Sequence, residues 1–100
     1  MNADALKWFH EGRGLLVLLN QPEGRVSVFL KHKRNKDDEG KLRLFMFPDI
    51  TTLAKTISSP GGRFPAIYPL PFAGFLYVLE RQQISKFIRA AKQWEILGEG

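Results

Sequence analysis

Residues 25–47 decide the fold: they read RVSVFLKHKRNKDDEGKLRLFMF, two alternating runs on either side of a polar loop. In each run an aliphatic side chain recurs at every second position, which places these side chains on one face of a strand. They are Val26, Val28 and Leu30 in the first run and Leu42, Leu44 and Met46 in the second. The loop is rich in Asp, Asn and Gly, residues that favour turns. The stretch predicts an antiparallel hairpin with one apolar face.

Strand and helix signals continue on both sides of this hairpin. Upstream, Leu15–Leu19 is continuously apolar, as in a strand covered on both faces, and a turn at Asn20–Gly24 separates it from the hairpin. Before it, residues 4–12 predict a short helix that ends at Gly12. Downstream, Asp49 is a good N-cap for a helix over residues 50–57.

The last third of the chain ends in a helix. Residues 63–71 carry three prolines among large apolar side chains, which predicts an extended segment outside the centre of a sheet. Phe75–Leu79 fits either a strand or the first turns of the helix. From Glu80 to about Ile96 the period is helical, with Ile84, Phe87 and Ile88 on one side.

These elements predict one α+β domain over residues 1–100. We expect an antiparallel β-meander of three or four strands, with the C-terminal amphipathic helix packed on one face and short helices at the N-terminus and after the third strand. The inner face should pair Val26, Val28 and Leu30 with Leu42, Leu44 and Met46.

Composition and net charge limit the classes of function that the protein can have. The chain has no cysteine, which excludes disulfides and thiolate metal sites. Its longest apolar run, residues 14–19, is far shorter than the roughly 20 residues that span a bilayer, so we expect a cytoplasmic protein without membrane contact. The net charge of +5 and the isoelectric point near 9.8 favour polyanionic partners.

Catalytic motifs are missing from the sequence. His10 and His32, the two histidines, fall on different predicted elements, whereas zinc requires three or four ligands. Ser59–Arg63 contains a glycine pair beside an arginine but matches neither nucleotide-binding fingerprint. We therefore predict a non-enzymatic protein with no metal and no cofactor.

The outer face of the hairpin carries the functional prediction. Pairing symmetric about Asp37 places Lys33 opposite Lys41 and Lys31 opposite Arg43, and like charges across a ladder destabilise a sheet. An anionic ligand would relieve this repulsion, and phenylalanines beside the cations would stack on bases. The predicted nucleic-acid-binding residues, for single-stranded DNA or RNA, are Arg25, Phe29, Lys31, Lys33, Arg34, Lys36, Lys41, Arg43, Phe45 and Phe47.

An alternative function follows from the apolar residues of the same face. If Leu15, Val17 and Leu19 join Phe29 and Phe47 there, the patch is larger than a monomer normally exposes. It would then be covered by another part of this chain, by a second copy in a homodimer, which we expect, or by a different protein. In the last case the chain is a small protein-interaction module, such as an adaptor, inhibitor or complex subunit, that docks through this face and its proline-rich stretch.

The predicted arrangement, a sheet closed by a terminal helix, is similar in topology to the ββββα unit of the Whirly and PUR families of single-stranded nucleic-acid binders. The resemblance implies binding of single strands. No family motif occurs in these residues, so no site residue follows from it.

Overall fold

The computed structural model describes residues 3–19, 24–58, 64–71 and 74–97. In chain order, the elements are α1 (Ala3–His10), β1 (Gly14–Leu19), β2 (Val26–His32), β3 (Lys41–Phe47), α2 (Ile50–Ile57), β4 (Ala66–Pro69), β5 (Gly74–Val78), α3 (Arg81–Ala91), a 3₁₀ turn (Lys92–Trp94) and β6 (Glu95–Leu97). Within these ranges the strands form one antiparallel sheet in the order β4-β5-β1-β2-β3-β6. The predicted α+β fold is confirmed, with six strands instead of three or four.

Both short helices form where the sequence predicts them. Gly12 ends α1 in a left-handed conformation (φ +77°), donating its N–H to Phe9 at 3.0 Å, and Arg13 donates to Trp8 at 2.8 Å. These two bonds form a Schellman motif, which is why glycine is needed there. Asp49 caps α2 through a 2.6 Å bond that its side chain accepts from the N–H of Thr52. None of the helices in the described ranges is long and apolar enough to cross a membrane.

The proline-rich segment and residues 75–79 complete the sheet at one side. β4 is an edge strand, as expected for a segment that ends in Pro69. β5 pairs with β1, and the N–H of Leu79 extends this pairing by donating to Arg13 at 2.8 Å. The open choice is thereby settled as strand for residues 75–78. α3 spans only Arg81–Ala91, so the predicted helix to about Ile96 is too long, because residues 95–97 pair with β3 as a strand.

The register of the central hairpin differs from the prediction by one residue. Val28 pairs with Phe45 and Lys31 pairs with Leu42, so residues 33–40 form an even-numbered loop. Symmetry about Asp37 requires an odd-numbered loop. A shift of one residue turns every side chain of β3 to the other face. The predicted grouping of Leu42, Leu44 and Met46 with Val26, Val28 and Leu30 is therefore wrong.

The main core lies between one sheet face and the two helices α2 and α3. Phe45 and Phe47 belong to it, fully buried, together with Leu15 and Val17 of β1 and with Val26, Val28 and Leu30 of β2. The ring of Phe87 from α3 meets Phe45 edge-on at 5.2 Å, and Trp94 stacks on Phe47 at 4.8 Å. The prediction that the C-terminal helix packs on the sheet is confirmed, and the phenylalanines of β3 supply the surface that it contacts.

A smaller core lies on the opposite face, beneath α1. Phe9, Leu70 and Leu76 are buried there, with Phe29 half-buried beside them. α1 packs on β5, β1 and β2. At the β3 side of this face Leu42 remains 41% exposed.

The face that we expected to form a homodimer is covered within the chain. Leu15, Val17 and Phe47 are fully buried in the main core, under α2 and α3, while Phe29 lies on the other side of the sheet. These side chains therefore give no support for a dimer, and the state of association stays a prediction.

Candidate nucleic-acid interface

Three separate parts of the chain meet beside the end of β2. They are the turn from α1 to β1, the first half of the β2–β3 loop and the start of α3. The bond from Leu79 to Arg13 brings the start of α3 next to the α1–β1 turn. Gly12 lies so close to the end of β2 that a Cβ there would come within 2.8 Å of the carbonyl oxygen of Lys31. Backbone packing thus fixes the relative positions of the three parts.

Between them lies a cleft of about 670 Å³, called the basic cleft below. Its cations are Arg13, Lys33, Arg34, Lys36 and Arg81, and its carboxylates are Glu11 and Glu80. The apolar side chains of Leu79 and Ile84 also line it. Five cations against two carboxylates give the cleft a positive field, and concave low-dielectric walls concentrate such a field.

The carboxylate of Glu80 caps the first turn of its own helix, α3. Glu80 and Gln83 form a capping box at the start of α3, in which the N–H of Glu80 donates to Oε1 of Gln83 at 2.9 Å. Because the chain itself satisfies these helix-end groups, the attraction of the cleft for anions comes from its side-chain cations.

The β2–β3 loop is held by its own polar side chains. Oδ1 of Asn35 accepts from the N–H groups of Asp37 and Asp38, each at 3.0 Å. The carboxylate of Asp38 accepts from the N–H of Gly40 at 2.8 Å and from that of Arg34 at 3.1 Å. These two bonds, with the nearby charges of Arg34 and His32, lower the pKa of Asp38. The loop thus presents its cations from a defined backbone.

A smaller recess of about 160 Å³ lies on the β3 side of this loop. Its lining is His32, Arg34, Asp38, Lys41 and Arg43. His32 and Arg34 also line the basic cleft, so the two concavities share a wall. Nδ1 of His32 is buried and has no hydrogen-bond partner in the described residues.

The structure divides the predicted cations into separate groups. Lys33, Arg34 and Lys36 line the basic cleft, and Lys41 and Arg43 line the recess. Lys31 faces the opposite side of the sheet from His32, because consecutive strand residues alternate. Arg25 is exposed and precedes β2, so it lies at the opposite end of that strand from His32. At about 3.3 Å per residue, the two are roughly 20 Å apart.

The expected like-charge pairs are also absent from the ladder. Lys31 pairs with Leu42 and Arg43 with Leu30, so neither cation faces another across β2 and β3. Across these two strands there is therefore no directly opposed pair of cations whose repulsion a ligand would relieve, and the prediction of such pairs is wrong. The cations crowd instead around the loop.

The predicted stacking phenylalanines are not on the basic surface. Phe45 and Phe47 are fully buried in the main core, and Phe29 is half-buried on the face under α1. In this structure none of the three is placed to stack on a base in the cleft. The shifted register is the reason for Phe45 and Phe47.

Sequence reasoning missed two cations of the cleft, Arg13 and Arg81. Nothing local in the sequence connects them, because the β1–β5 pairing alone brings the two segments together. The sequence does not predict that pairing, because residues 75–79 fit a helix as well as a strand.

No cluster of three or more metal-ligating side chains occurs within the described ranges. Comparisons with protein families, with curated proteins and with solved structures gave no match. The function is therefore argued from the chemistry of the cleft and the recess.

Proposed function

We propose that this protein binds single-stranded nucleic acid through the basic cleft, by contacts to backbone phosphates. The observation that carries the proposal is the convergence of five cations, from three separate parts of the chain, on one concave surface. Lysine and arginine are the side chains that hold phosphates, and phosphate contacts supply most of the affinity in non-specific binding.

The shape of the cleft favours a single strand over a duplex. Proteins that read duplex DNA insert a protruding helix or ribbon into a groove, whereas the cations here line a depression. Leu79 and Ile84 border the cleft but are only 3% and 2% exposed, so the cleft offers little apolar surface for a base. Because no Phe, Tyr or Trp is among the described residues of the lining, we expect little sequence preference.

The test measures binding of a fluorescent single-stranded oligonucleotide by anisotropy at ~50 mM and ~200 mM salt. The double variant Lys33→Ala, Lys36→Ala should lose at least about tenfold in affinity at the lower salt. Its salt slope should flatten by about 0.7 for each lost phosphate contact. The matched control is Lys55→Ala, Lys92→Ala, which removes two exposed cations outside the cleft and should change little.

Two outcomes would contradict the proposal. If both double variants weaken binding equally, the protein attracts polyanions by net charge alone and the cleft has no special role. If the unmutated protein binds no single strand at ~50 mM salt, nucleic acid is not its ligand.

A second candidate function, a protein-interaction module, rests on a different surface. Leu42 is 41% exposed, and Leu44 and Met46 are half-buried on the same face of β3, beside the part that α1 covers. An apolar partner could dock there. Binding to such a partner should change little with salt and should be lost in Leu42→Asp, while that variant leaves oligonucleotide binding intact.

A further inference from the structure

The recess beside the β2–β3 loop has the properties of a separate anion site. It is lined by the side chains of Arg34, Lys41 and Arg43 and by the carboxylate of Asp38. Because Arg43 is also paired with Glu95, three cations stand against two carboxylates, an excess of one positive charge. At about 160 Å³ it is smaller than the roughly 300–1,000 Å³ of pockets that enclose a whole small molecule. Its size suits one small charged group, and its charge selects an anion.

Two side chains of this recess, those of Arg43 and Asp38, are held in place by hydrogen bonds within the protein. Nε and Nη2 of Arg43 donate to Glu95 at 2.9 and 2.8 Å, which fixes the plane of the guanidinium and leaves Nη1 outside that pair. Asp38 is held by the backbone N–H groups of Gly40 and Arg34. The guanidinium of Arg43, being held, should lose less conformational entropy on binding a ligand than a mobile surface lysine does.

His32 and Arg34 connect the recess to the basic cleft, because both concavities are lined by these two residues. An anion with several linked charges can therefore occupy both without leaving the surface. Nδ1 of His32 is buried and finds no hydrogen-bond partner among the described residues, and such atoms are costly in a folded protein.

We infer that the recess is a phosphate subsite, and that a bound strand places one phosphate in the basic cleft and a neighbouring phosphate in the recess, on either side of His32 and Arg34. The inference rests on the proposed function for the identity of the strand. The recess itself is a site for a single phosphate group, and inorganic phosphate tests it directly.

The experiment follows backbone amide signals by NMR during a titration with inorganic phosphate, with chloride at matched ionic strength as the reference. Saturable shifts at His32, Lys41 and Arg43 are expected. Lys41→Ala should abolish the shift at Arg43, which lines the recess alone, whereas Lys36→Ala, which alters the basic cleft alone, should retain it. Circular dichroism establishes that both variants are folded.

Oligonucleotide binding, measured in parallel, links the recess to the strand. Lys41→Ala and Lys36→Ala should each flatten the salt slope by about 0.7, and the double variant by the sum. If the unmutated protein binds the strand while phosphate shifts none of the recess amides, the subsite is overturned and the proposed function stands. If phosphate binds the recess but no strand binds, the proposed function fails and the recess remains an anion site.

Discussion

Arg43 and Glu95 form a two-bond ion pair that ties β3 to β6 across 52 residues of sequence. Both side chains are about one-fifth exposed, at 21% and 20%. The guanidinium also lies 5.6 Å from the centre of the Phe45 ring. Arg43 therefore connects the last strand, the central hairpin and the edge of the main core.

A double-mutant cycle should detect this pair as a coupling of about 1 kcal/mol between Arg43→Ala and Glu95→Ala in the free energy of unfolding. The measurement is urea denaturation at low and high salt, and added salt should weaken the coupling. Arg43→Lys should recover only part of the loss, because lysine cannot make two parallel bonds. Strictly additive single variants would show that the pair contributes nothing.

The observed register and the symmetric register make opposite predictions for two residues of β3, Phe45 and Leu42. Phe45→Ala should lower the free energy of unfolding by about 3–5 kcal/mol, because the ring is fully buried against Phe87. Leu42→Ala is the control: its side chain is 41% exposed, and the expected loss is below about 1 kcal/mol. Under the symmetric register the order would be reversed, so denaturation of these two variants decides between the registers.

Alanine substitutions at Gly12 and Gly24 distinguish the stability cost of backbone strain from that of steric collision. Both have left-handed φ values, +77° and +75°, so alanine at either should cost about 1–2 kcal/mol. At Gly24 no atom of the described residues lies within 4 Å of an added Cβ, while at Gly12 it would collide with the end of β2. Gly12→Ala should therefore destabilise clearly more than Gly24→Ala in thermal melting. Equal losses would mean that α1 can move away from β2 without cost.

The cap of α2 predicts a dependence of stability on pH. The pKa of Asp49 is lowered, first because its carboxylate accepts from the N–H and then the hydroxyl of Thr52. Its stabilising contribution is therefore complete above the pKa of an unfolded aspartate and is lost as the pH falls through the lower, folded pKa.

Asp49→Asn should reduce the acid loss of stability, because asparagine caps a helix without titrating, whereas Asp49→Ala should lower stability already at neutral pH. Denaturation curves between about pH 2 and pH 7 provide the measurement. An acid limb identical in Asp49→Asn and the unmutated protein would contradict the role of this carboxylate.

The sequence predicted those elements whose signals are local. Asp49 and the helix after it, Gly12 at the end of α1 and the edge position of the proline-rich strand are all determined by backbone chemistry within a few residues. The register of β3, in contrast, is not determined by a local signal. Alternation places Leu42 and Phe45 on opposite faces but does not state which face meets α3.

The candidate site was predicted in part for the same reason. Lys33, Arg34 and Lys36 belong to one loop, and their proximity follows from sequence alone. Arg13 and Arg81 join them only through the pairing of β1 with β5. Phe45 was expected to stack on bases because the assumed loop was odd-numbered, although burying its ring under α3 is favoured by its large apolar area.

The strand order has a consequence for the order of folding. β1, β2 and β3 are consecutive in sequence and pair with their neighbours, so their contacts close short loops. β5 reaches β1, and β6 reaches β3, only after long intervening segments have been closed, which costs more chain entropy and slows folding. The meander should therefore form early. The basic cleft, which needs β5 beside β1, should be among the last parts of the molecule to assemble.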